Sequence, residues 1–76
     1  MSGEGLRIFV VYKNPADYPG LFVVREWHVI GGAQMPCPLP VAVVATLDEA
    51  RRSVPEGHVC FPAQPDDDPV IYEVWL

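Results

Sequence analysis

Four side chains in this sequence can hold a soft metal ion: His28, Cys37, His58 and Cys60. Two histidines with two cysteines is a ligand set of structural zinc sites. In an extended segment His58 and Cys60 project to the same side, about 7 Å apart. The close Cys-Cys and His-His pairs of such sites are missing, however. The spacing therefore favours a surface His28, a loop Cys37 and a small buried Cys60, and no metal or other cofactor is expected. Cys37 lies between Pro36 and Pro38 and should be partly exposed, but its sequence neighbours offer no positive charge to activate it as a nucleophile. Asp66-Asp67-Asp68 lacks the alternating spacing and glycine of a calcium loop; acids beside an apolar strand guard against aggregation.

The chain contains no phosphate-binding glycine loop, no nucleophile elbow and no paired-histidine motif. It is expected not to be an enzyme, and no catalytic residue is assigned. What stands out instead are charges in or beside apolar segments: Asp17, Arg25 and Glu73. Arg25 shares a strand face with Trp27, and a charge on an inner face demands a partner. The candidate pair is Arg25 with Glu73 or Asp17, as a structural bridge or as the centre of a small pocket near Tyr18 and Trp75. Asp17, Tyr18, Arg25, Trp27, Glu73 and Trp75 are the candidate interaction residues.

The elements that position them follow from periodicity. Residues 1–5 read as a disordered tail and 6–76 as a single α+β domain. Leu6–Tyr12 is a strand rich in Ile, Val and Phe, with Ile8, Val10 and Tyr12 expected inward because the other face ends in Arg7 and Lys13. Residues 21–30 form a second strand, with Trp27 expected inward and Glu26 and His28 outward. A one-residue slip would reverse that assignment. Between them, Asn14-Pro15-Ala16-Asp17 fits a type I turn and Tyr18-Pro19-Gly20-Leu21 a type II turn. Residues 31–40, with three alternating prolines, read as a long extended loop.

"VAVVA" at 41–45 reads as a short buried strand. Thr46-Leu47-Asp48-Glu49 matches a capping box, opening a helix that Pro55 stops near Val54, with Leu47, Ala50 and Val54 as its apolar stripe. "HVCF" at 58–61 and the segment after Pro69 read as further strands. The order is β-β-(β)-α-β-β: a small antiparallel or mixed sheet of four to five strands with one short helix packed on one face. Under these assignments Phe9, Phe22 and Trp75 fall on the face the helix leaves open. That is too much apolar area for a monomer, so a homodimer through the open face or an edge is expected.

Bulk properties bound the rest. Seventy-six residues, half of them hydrophobic, make one domain, and a chain this short needs a staple or a partner. A net charge of −5, with Arg51-Arg52 as the single adjacent basic pair, argues against nucleic-acid binding. "MSGEG" lacks the features of a secretory leader, and no apolar run approaches the roughly 20 residues of a membrane span. The expected location is the cytoplasm, which argues against a structural disulfide.

Three stretches, "VYKNPADYPGLFVVREW", "TLDEARRSVPEG" and "PDDDPVIYEVWL", together resemble a family of short bacterial proteins of unknown function. Its pattern runs P-x-DYP, FVVR-x-W, T-L-x-EAR and DDPVI-x-E-W. The match falls on Pro15, Asp17, Tyr18, Pro19, Phe22–Arg25 and Trp27, then on Thr46, Leu47 and Glu49–Arg51, and finally on Asp67–Ile71, Glu73 and Trp75. The resemblance supports the order of elements and implies no activity or ligand.

The leading functional expectation is a small non-catalytic protein-interaction module, most simply a homodimer with a further protein partner. The alternatives are a metal- or small-ligand-binding domain built on the 31–40 loop and the His/Cys set, and an acidic inhibitor that mimics nucleic acid.

Overall fold

A computed structural model describes residues 6–64 and 69–76. The expected tail at 1–5 and Asp66–Asp68 lie outside the described residues. Six strands and one helix follow in the order β1 (Leu6–Lys13), β2 (Phe22–Ile30), β3 (Ala33–Pro36), β4 (Ala42–Val44), α1 (Leu47–Arg52), β5 (Cys60–Pro62) and β6 (Ile71–Trp75). All pairings are antiparallel, in the order β3-β2-β1-β6-β5, with β4 on the same edge of β2 as β3. The fold is thus α+β, dominated by its sheet.

Two strands more than the simplest reading arise from the 31–45 region. Gly31 and Gly32 both take positive φ, which closes a two-residue hairpin and lets Ala33–Pro36 run back along Trp27–Ile30. The expected loop is therefore half strand. The chain then leaves the edge opposite Arg25 and returns as β4 against Phe22–Val24. β4 was expected to be buried; it is an edge strand, and Val43 is exposed.

The corner between β1 and β2 is two consecutive turns. Tyr18 donates to the Pro15 carbonyl and Leu21 to that of Tyr18. The first turn therefore starts at Pro15, one residue later than expected, because Asn14 itself adopts φ +54°. Its side chain then accepts the Gly20 amide at 2.6 Å. The second turn is as expected, with Gly20 at φ +79° where a type II turn requires it.

The main correction concerns the faces. The core is Phe9, Val11, Val24 and Ala50, with Phe22, Ala42, Val44, Leu47, Val54 and Trp75 packed around it. The helix therefore covers the side of β1 that carries Phe9 and Val11, and Trp27 lies on the opposite, open side with Ile8, Val10 and Tyr12. Phe9, Phe22 and Trp75, expected on the open face, are beneath or beside the helix. The flanking charges misdirect the assignment. The Arg7 guanidinium lies 5.3 Å from the Phe9 ring centre and the Lys13 ammonium 5.7 Å from that of Tyr72, so their stems run along apolar surface while the heads reach water.

The helix is short, and it holds by its ends and its packing. Thr46 Oγ1 accepts the Glu49 amide. The reciprocal arm of the capping box differs: the Glu49 carboxylate receives the Thr46 hydroxyl at 3.0 Å instead of the Thr46 amide. Asp48 and Glu49 occupy the first turn and Arg51 and Arg52 the last, matching the helix dipole.

Candidate functional site on the open face of the sheet

Cross-strand partners project to the same side of a sheet, so the register assigns the open face. Ile8 stands opposite Trp27, Val10 opposite Arg25 and Tyr12 opposite Val23. Val74 stands opposite Val10 and Phe61 opposite Val74. The Trp27 indole N–H donates to the Tyr12 hydroxyl at 3.1 Å. This bridge passes over the Val10–Arg25 pair and divides the face into two hollows, because both side chains line each one.

The larger hollow has a volume of about 430 Å³. Its floor is Val23, almost fully buried, and its walls include Tyr12, Trp27 and the prolines Pro15, Pro36 and Pro38. Its charges are Arg25 and Asp17, whose Nη2 and Oδ2 stand 3.4 Å apart, a loose contact by ion-pair standards. The second hollow, about 270 Å³, is bounded by Ile8, Val10, Val29, Ile71 and Val74, with Gln34 at its edge. Together they form an apolar surface with one cation and one anion at one end.

The candidates therefore divide. Asp17, Arg25 and Trp27 come together around one hollow, and Arg25 pairs with Asp17 as one of the two expected options. Tyr18 shapes the turn and is not among the residues lining the hollow. Glu73 and Trp75 are on the other side of the sheet. The expected alternative of Arg25 with Glu73 is excluded by the register, since Val10 opposes Arg25 while Val11 opposes Glu73.

Glu73 has its own partner, which the sequence reading missed. Arg51 meets it with two bonds, Nε to Oε1 at 3.0 Å and Nη2 to Oε2 at 3.1 Å. The Cys60 thiol and the Trp75 indole N–H donate to the same carboxylate. Burial pushes the Glu73 carboxyl upward, but the bonds from Arg51, Cys60 and Trp75 outweigh it, and the group titrates below the ordinary range. Burial and the neighbouring Glu73 carboxylate raise the Cys60 thiol, which makes it a poor nucleophile. Cys60 was expected to be buried; it is exposed on the short edge strand, with its sulfur turned to Glu73. The signal for the pair was available: Arg51 is the helical cation one position from the stripe residue Ala50.

The four soft donors also divide. His58 packs edge-on against Phe9, ring centres 4.9 Å apart, and its Nδ1 stands 3.0 Å from the Pro55 carbonyl oxygen. His28 and Cys37 instead meet on the helix side of the sheet, past the helix, with Cys37 Sγ 3.8 Å from His28 Nε2. Glu26, not considered among the donors, joins them with Oε2 2.8 Å from the same nitrogen. Arg7 Nε holds that oxygen at 2.6 Å, and the Arg7 and His28 bonds lower the Glu26 carboxyl.

Among the described residues no helix is long and apolar enough to cross a membrane. No protein-family model, no curated protein and no solved structure matches the chain.

Proposed function

We propose that the chain is a small non-catalytic interaction module whose open sheet face is its recognition surface, and that a second copy of the chain covers this face. The observation that carries the reading is an apolar sheet face with no layer over it among the described residues. Leu6, Phe61, Val59 and Leu76 belong to that face by register and alternation and are 55%, 45%, 61% and 44% exposed. Continuous apolar surface of this kind marks association sites.

Two features favour a face-to-face pair over edge pairing. Two of the three edge strands contain proline, Pro36 in β3 and Pro62 in β5, and the third, β4, is only three residues long; proline and shortness both blunt an edge against strand addition. The face carries one Arg25 and one Asp17 in loose contact, so a two-fold pair can exchange them, Arg25 of one copy meeting Asp17 of the other. The net charge of −5 does not oppose that contact, because cation and anion balance there. An acidic nucleic-acid mimic would need an anionic face, which this is not.

Nine-residue β2 and five strands abreast bound the face at about 30 Å by 19 Å, so each copy offers at most roughly 600 Å². Standard interfaces use about 800 Å² per partner, so this face makes a small one. Sedimentation equilibrium between about 1 and 500 μM should show a monomer–dimer transition. Monomer mass throughout that range contradicts the reading.

A further inference from the structure

We infer that Glu26, His28 and Cys37 form a binding site for a borderline-soft divalent cation of the zinc class, beside the larger hollow that Cys37 also lines. One ligand atom from each residue lies within 4.8 Å of the other two, and His28 Nε2 is the pivot, close to both the Cys37 sulfur and a Glu26 oxygen. In tetrahedral zinc sites a sulfur at about 2.3 Å and a nitrogen at about 2.0 Å from the metal are roughly 3.5 Å apart. The observed 3.8 Å needs almost no change. The 2.8 Å nitrogen–oxygen contact must open by about half an ångström to reach the spacing of such a site. Three protein ligands and one open position for water is the arrangement of an accessible zinc centre rather than a closed structural one.

The backbone builds this cluster in advance. Glu26 and His28 are two apart on β2, so they share a face. Cys37 follows Pro36, which pairs with Trp27, and its amide donates to the Glu26 carbonyl at 2.9 Å. Pro36 and Pro38 limit the backbone freedom of the cysteine between them. The three side chains are part-buried, reachable from solvent yet held. Arg7 bonds the same Glu26 oxygen that faces His28 and so fixes the orientation of that carboxylate, as partners of metal ligands do. On binding, the Cys37 thiol proton goes to solvent and His28 takes the tautomer with its proton on Nδ1.

The test is titration of the reduced chain with zinc alone, in competition with a chromophoric chelator, and with cobalt(II) alone by absorption. One metal per chain, and a thiolate-to-cobalt charge-transfer band, are expected. Cys37→Ser should abolish the band, and Cys37→Ser and His28→Ala should each weaken zinc by roughly tenfold or more. His58→Ala and Cys60→Ser should leave it unchanged. Circular dichroism of each variant confirms folding independently of metal. Failure to take up zinc at micromolar protein, or equal uptake by Cys37→Ser, overturns the inference.

Discussion

The two faces of the sheet are built from the same residue types and end in different states. On one side Phe9, Val11 and Val24 meet Ala50 of the helix and are buried. The buried charge there, Glu73, is 4% exposed and takes bonds from Arg51, Cys60 and Trp75. On the other side Ile8, Val10, Tyr12 and Trp27 have no second layer among the described residues, and the charge there, Arg25, has one contact of 3.4 Å to Asp17. A saturated buried carboxylate beneath a helix belongs to the fold. The Arg25–Asp17 pair beside the aromatic bridge is held by one loose contact instead.

The largest effect expected on this contrast is Phe9→Ala. Removing a fully buried ring should lower stability by about 3–5 kcal/mol, a large share of the total for a small domain. Chemical denaturation measures it. The matching truncation on the open face, Trp27→Ala, should weaken the dimer by about 2 kcal/mol, and stability of the isolated chain by less than Phe9→Ala does. Equal losses of chain stability from the two would erase the distinction between the faces.

Glu73 sharpens the comparison through pH. Its folded-state value is lowered, so the stability it contributes is present above the ordinary glutamate value, about 4.3. That stability is lost as pH falls from there through the lowered value. Glu73→Gln should destabilise by about 1–3 kcal/mol at neutral pH and should flatten this part of the acid-unfolding profile. An unchanged acid limb in the variant would mean that other carboxylates dominate it. The smallest effect is at the helix start, where Thr46→Ala should cost about 1 kcal/mol by thermal unfolding, with dimer affinity untouched.

Much of the frame was legible in the sequence because it is written locally. The capping residue Thr46, the glycine at the third position of the Tyr18–Leu21 turn and the β-branched runs each act within a few residues. The face assignment is not, because both faces of β1 are apolar and the charges at its ends, Arg7 and Lys13, point to solvent when taken alone. They cover Phe9 and Tyr72 instead. β3 is hidden by the prolines at 36, 38 and 40; Pro36, the one inside the strand, is tolerated because it sits at the edge of the sheet. The Arg25–Asp17 contact is among the expected options because both are charges in or beside apolar segments. Arg51–Glu73 and Glu26–His28–Cys37 depend on register between distant segments, which composition and spacing do not encode. The second cluster was half visible, since Glu26-x-His28 shares a strand face, but only the hairpin at Gly31-Gly32 brings Cys37 beside it.

The central claim is that one face of this sheet is the fold's own and the other is for a second copy. The measurement closest to it is a dilution series followed by nuclear magnetic resonance, comparing side-chain signals of the two faces at high and low micromolar protein. The account predicts concentration-dependent shifts in the Trp27 indole N–H and in the methyl groups of Ile8, Val10 and Val74, with Val11, Val24 and Ala50 constant. Invariant open-face signals across the range, or shifts confined to the helix side, would contradict it.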